Sequence, residues 1–192
     1  MISLNVKLIS SMGVIFMQVR KLTLAALFAA LTAVFSQIAI PTPWQVPVNL
    51  ATMAVFLSGA VLGARWGAAS QLTFLVLGLC GAPVFSGFKG GMAVLAGPTG
   101  GYLVGYVLAA LAVGLLAKRL SGRAVLPFAM ACGLVLCYAL GTAWFMVSTQ
   151  SGLIRSLTLC VLPFLPGDAL KIAAASLLAP RLTGLLAQEH TA

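Results

Sequence analysis

Residues 22–40 form a run of 19 without a charged side chain. That is close to the ~20 apolar residues a helix needs to cross a hydrocarbon core of about 30 Å. The run does not stand alone. Residues 49–63 and 66–80 are shorter apolar stretches flanking Ala64-Arg65, a connection so brief that it requires a tight helical hairpin. Residues 101–117 and 126–147 read as conventional spans, and 170–186 as a last one interrupted by Pro180. These segments predict an all-α membrane protein with six transmembrane helices. Composition agrees, since 61% of the 192 residues are apolar and 7% are charged, against roughly 25% charged in ordinary soluble domains.

The scarcity of charge also limits the chemistry. With 11 Lys and Arg, 2 Asp and Glu and 1 His, the chain lacks the acids and bases of most hydrolytic enzymes, most metal sites and any self-contained ATPase. No catalytic residue, metal or cofactor is expected. A net charge of +9 would suit nucleic acid if the cations shared a face. They stand singly between apolar runs instead, as topology markers facing a lipid bilayer do. With the N-terminus inside, the cytoplasmic side holds Lys7, Arg20, Lys21, Arg65, Lys118, Arg119, Arg123 and Arg181. Lys89 and Arg155 fall outside, and Lys171 lies in the outer half of the last span. The asymmetry predicts N-in and C-in.

Residues 1–17 carry Lys7 and no small-residue cleavage site before the apolar run resumes, so they do not read as a signal peptide. We read them as a dispensable or mis-called extension ahead of a start at Met17, or as an interfacial helix. Residues 18–187 then form one transmembrane domain and 188–192 a tail. Cys80, Cys132, Cys137 and Cys160 show no Cys-x-x-Cys spacing and read as small apolar residues.

Three outer features depart from plain lipid-facing helix. The segment between the third and fourth spans is glycine-rich, and irregular backbone at membrane depth must be buried in protein or line a wet cavity. It ends Gly97-Pro-Thr-Gly-Gly-Tyr102, where Thr99 can cap the fourth span and leave amide groups free. No Gly-Lys-Ser or Gly-Lys-Thr follows, so it is not a Walker loop. The segment either seals the bundle or contacts a ligand. The second feature is Pro163-Phe-Leu-Pro-Gly-Asp168-Ala-Leu-Lys171. Its Asp and Lys, three apart, share a helix face and can pair. An ionisable residue at this depth is a functional candidate, although an Asp in a first turn also complements the helix dipole. The third is the turn Ile40-Pro-Thr-Pro-Trp44-Gln-Val-Pro-Val-Asn49, where Trp44 is either a ligand platform or an interfacial anchor. These features converge on an outer pocket closed by the first and third loops, with cations, one carboxylate and an aromatic plane. It suits a small amphipathic acid.

Four blocks in this order and spacing, Pro41-Thr-Pro43, Leu77-Gly-Leu-Cys-Gly-Ala-Pro83-Val-Phe, Gly97–Tyr102 and Leu162–Lys171, resemble the BioY family, the biotin-binding S-components of energy-coupling factor (ECF) transporters. The similarity runs from about Met17 to Arg181. The first turn departs from the expected Pro-Val-Pro-x-Thr-Leu-Gln. The resemblance implies a six-helix protein that captures biotin outside and passes it inward with a transmembrane coupling subunit and two ATPase subunits. Carried over by motif, Asp168, Lys171, Thr99, Gly100, Gly101 and Tyr102 would belong to the biotin site. Lys89 is the candidate for a basic residue in the glycine-rich loop, and Trp44 and Asn49 complete the expected set. Asp168 would accept from the ureido N–H groups, Lys171 would donate to the carbonyl and Lys89 would meet the carboxylate, or the reverse.

On the first span, Ala25, Ala29 and Ala33 form a small-residue stripe with Ala26 and Ala30 beside it. Such a stripe permits close helix approach, and the family implies that the coupling subunit docks there. Internal packing is the equal alternative. A proton-coupled secondary transporter, an S-component for another vitamin and a homo-oligomer remain open at this point. An intramembrane enzyme acting on lipid phosphates would need more acids than one Asp.

Overall fold

The computed structural model describes residues 2–43, 46–120, 122 and 124–188, with side chains from 17 to 186 of these. Trp44, Gln45, Arg123 and the end of the tail lie outside the described residues. The chain forms α1 (Ile2–Gln37), a short antiparallel pair β1 (Ala39–Ile40) and β2 (Val48–Asn49), α2 (Ala51–Leu79) and α3 (Met92–Ala96). It continues through α4 (Gly100–Arg119), α5 (Val125–Thr149), α6 (Leu153–Cys160) and α7 (Leu165–Gln188). Among the described residues, five helices are long and apolar enough to cross a membrane: Met17–Gln37 within α1, α2, α4, α5 and Leu165–Leu186 within α7.

The second of these contains the hairpin expected around Ala64-Arg65. Gly63 adopts φ 78°, ψ 175° inside α2, a positive-φ conformation that glycine enters without a steric penalty. The two arms then fold back on each other. A Cβ added to Gly67 would lie 2.8 Å from the Gly59 Cα, although residues eight apart on a straight helix are separated by about 12 Å. Gln71 Nε2 donates to Ser58 Oγ on the opposite arm (3.2 Å) and to Thr32 Oγ1 on α1 (3.1 Å). One fully buried amide thereby ties three helical segments together. The reversal seats against α4, where a Cβ on Gly114 would meet the Ala64 backbone at 2.2 Å.

Apolar burial is split along the bundle axis. One cluster, around Phe74, Phe85, Tyr106 and Phe164, lies toward the end where α4 and α7 begin. The other, around Phe56, Val113, Met130 and Ala175, lies toward the opposite end. The last span starts earlier than 170–186 and passes through Pro180 without a break. At the far end the Arg20 guanidinium donates to the Leu186 carbonyl, fastening α1 to α7.

The strand pair and the short helices α3 and α6 are not expected from the sequence. α6 exposes Leu153, Ile154 and Leu157 and buries Ser156 and Cys160. Burial pushes the Cys160 thiol above its ordinary range, which keeps it protonated and unreactive.

Candidate ligand-binding site

A cavity of about 480 Å³ opens at the end of the bundle where α4 and α7 begin. Small-molecule sites usually measure roughly 300–1,000 Å³. Its polar end is made by the first two turns of α7. Asp168 is 2% exposed and Lys171 7%, and the Lys171 ammonium donates to Asp168 Oδ1 at 2.8 Å. Thr52, at the start of α2, donates to the same oxygen at 3.2 Å, and the Tyr138 hydroxyl of α5 donates to Asp168 Oδ2. Three donors from three helices thus hold one buried carboxylate, as a desolvated charge requires. Among the described residues Asp168 is the one acceptor for Lys171. Two of the three ammonium hydrogens are therefore left for a ligand.

The middle of the cavity is apolar and aromatic, with Val46, Phe85, Val94, Leu103, Tyr106 and Phe164. Phe85 is fixed edge-on against Phe74, centroids 5.5 Å apart. Tyr102 lines the wall with its ring, because its hydroxyl donates to the Cys160 carbonyl (3.2 Å). The ring lies against Gly141, where a Cβ would meet it at 2.3 Å. At the mouth, Lys89 is exposed beside Ser86. The segment 85–89 is a small hairpin: Phe85 N–H donates to Lys89 O (2.9 Å) and Lys89 N–H to Phe85 O (3.2 Å).

The model of the BioY family matches residues 7–188. This chain belongs to the BioY family. Among its relatives, the "Biotin transporter BioY" of Thermotoga maritima is 41% identical over 167 residues, covering 86% of this chain and 97% of that protein. The "Biotin transporter BioY" of Rhodobacter capsulatus is 37% identical over 176 residues, 83% of this chain and 91% of that one. A crystal structure of the S-component for biotin from an ECF-type ABC transporter superposes with a TM-score of 0.80 at 28% identity, over 86% of this chain and 92% of that one.

Within the BioY fold, Asp168, Lys171, Lys89, Thr99, Tyr102 and Asn49 all line the one cavity. Asn49 has a structural duty there. Its Oδ1 accepts the Ala51 N–H (3.1 Å) and its Nδ2 donates to Ser86 Oγ (2.7 Å), joining the end of β2 to the segment 85–89. Thr99 occupies the N-cap position of α4, but its side chain makes no cap hydrogen bond, so its hydroxyl remains available to the cavity it lines. Gly100 and Gly101 are not among the residues that line the cavity. Their missing side chains make room for α3 and α5: a Cβ would meet the Leu95 carbonyl oxygen at 1.8 Å or the Trp144 Cβ at 2.3 Å. Trp144 Nε1 also donates to the Gly97 carbonyl (3.0 Å), pinning the turn from α5. The Trp44 expectation falls outside the described residues.

Of the two readings of the alanine stripe, burial favours internal packing. Ala25 is 4% exposed and Ala29 2%, and Ala33 is half-buried against the core. Their face packs inside the bundle. Ala26 and Ala30 are on the exposed face of α1. Thr52, Tyr138 and Trp144 escaped the sequence reading because Thr, Tyr and Trp inside apolar helices carry no anomaly of composition.

Proposed function

We propose that the cavity binds biotin and that the chain acts as the substrate-specific subunit of an ATP-driven uptake system, a multi-pass protein of the cytoplasmic membrane. The observation that carries the ligand assignment is the polarity of the cavity: a buried acceptor and donor at one end, aromatic walls, and an exposed cation at the mouth. Biotin's ureido ring presents two N–H donors and one carbonyl, and Asp168 and Lys171 are complementary to both. Its bicyclic body is apolar, like the walls.

Its carboxylate suits Lys89. Placed at the buried end instead, that carboxylate would face the Asp168 charge, and two like charges out of water repel strongly. The same argument favours head-inward binding over the reverse assignment. Six membrane crossings, counting the arms of α2 separately, with both termini inside, are supported by the charges. Lys118 and Arg119 end α4, Arg65 sits at the α2 reversal, and Arg20, Lys21 and Arg181 lie on the same side. The cavity then opens outward. An ECF coupling subunit and two ATPases are the partners that this role requires.

Two substitutions test the assignment. Asp168→Asn keeps the volume but exchanges one acceptor oxygen for a donor, a loss of about 1.5–3 kcal/mol for a charged hydrogen bond. Equilibrium binding to the purified protein should weaken at least tenfold, and unchanged affinity would reduce Asp168 to a helix-dipole partner. Lys89→Ala should weaken biotin more than biotinamide, which lacks the negative charge. Equal losses would remove Lys89 from the carboxylate.

A further inference from the structure

The glycine-rich loop that carries Phe85, Ser86 and Lys89 to the cavity has little regular structure of its own. What holds its back is the last turn of α1. Gln37 Nε2 donates to the Val84 and Phe85 carbonyls, both at 3.1 Å, and Gln37 Oε1 accepts the Phe88 N–H at 2.9 Å. The Ser36 hydroxyl reaches the Val84 carbonyl too. One side-chain amide therefore pairs with the loop as a strand backbone would, donating and accepting at once.

The geometry it secures is not one the loop would favour alone. Phe88 has φ 55° with its side chain 73% exposed, so the residue occupies a left-handed conformation without compensation from packing. Other ties include the Asn49–Ser86 hydrogen bond, the Phe85 ring seated on Phe74, the Ala82 N–H on the Leu77 carbonyl at 3.1 Å and the Gly91 N–H on the Gly78 carbonyl at 2.7 Å.

We infer that Gln37 is a positioning residue for ligand retention: through its amide, α1 holds segment 84–88 as a lid over the cavity and sets how long the ligand stays. Gln37 itself is absent from the cavity lining, so it acts through Phe85, Ser86 and Lys89. The inference rests on the biotin assignment above.

The test is the release of labelled biotin from the purified full-length protein, chased with unlabelled biotin. Gln37→Met keeps the length and packing of the side chain but removes every hydrogen bond of the amide, those to Val84, Phe85 and Phe88 included. Release should quicken at least tenfold, while the association rate and the unfolding temperature of the ligand-free protein stay near those of the wild type. Gln37→Glu retains the acceptor for Phe88 but turns a carboxylate toward two carbonyl oxygens, and its release should be at least as fast.

Wild-type release rates in both variants, with Asp168→Asn still weakening biotin, would overturn the strap and leave the ligand assignment standing. If Asp168→Asn also has no effect, both fall. Parallel loss of ligand-free stability and retention would overturn it too, by making Gln37 a general fold residue. Should the variants not fold, hydrogen exchange in the native protein decides: the Phe88 amide must be protected at least tenfold with biotin bound, and exchange at its intrinsic rate overturns the inference.

Discussion

At Asp168 the chain concentrates its one described acid and spends donors from α2, α5 and α7 on it. Tyr138 is the member of that set whose removal changes least else. Tyr138→Phe leaves the ring and deletes one of three donors to the carboxylate, while Thr52 and Lys171 still hold it. Biotin affinity measured by titration calorimetry should fall by about two- to tenfold, less than for Asp168→Asn. A larger loss for Tyr138→Phe would mean that its hydroxyl touches the ligand itself. Asp168 and Lys171 could be read from the sequence because charges in an apolar segment are costly enough to demand a reason. Thr52 and Tyr138 could not, since their importance exists only through contacts 116 and 30 residues away. Gly100 and Gly101 are ambiguous for the opposite reason: a glycine pair at a helix start marks close approach, and the sequence does not say whether ligand or helix approaches.

Among the elements, the arms of α2 show how little chain a membrane bundle needs to turn around. Brevity of the Ala64-Arg65 link betrayed the hairpin, and the positive-φ residue proved to be Gly63, just before it. Its closure depends on glycine at the crossing. Gly67→Ala would put a methyl group 2.8 Å from the Gly59 Cα and 2.9 Å from the Ser58 carbonyl oxygen. Backbone cannot step aside as a flexible side chain can, so the arms must splay and stretch the Gln71–Ser58 hydrogen bond. Overpacking of this kind costs about 1–3 kcal/mol, and thermal unfolding in detergent should shift downward by several degrees. An unchanged midpoint would show that the arms have slack. The short elements were not readable in advance: β1, β2, α3 and α6 span 2, 2, 5 and 8 residues, too few to impose a clear period on the sequence.

For the whole molecule the question is which face of α1 meets a partner. Alanines occupy both sides of that helix, so the sequence offers two stripes and no means of choosing. Burial chooses: Ala29, 2% exposed, belongs to the core cluster that includes Phe85 and Tyr106, whereas Ala30 is exposed one residue later. A coupling subunit that approaches α1 closely must use the exposed side, with Ala26 and Ala30 as its small residues. Two tryptophan substitutions therefore separate the faces. Ala29→Trp forces an indole into a packed core and should lower ligand-free stability, biotin binding and uptake together. Ala30→Trp adds the same bulk outside; binding by the purified protein should stay within twofold of wild type, while ATP-driven uptake in cells holding the partner module should fall at least tenfold. Full uptake by Ala30→Trp would move the docking surface off α1, and loss of binding in that variant would mean that this face supports the cavity rather than a partner.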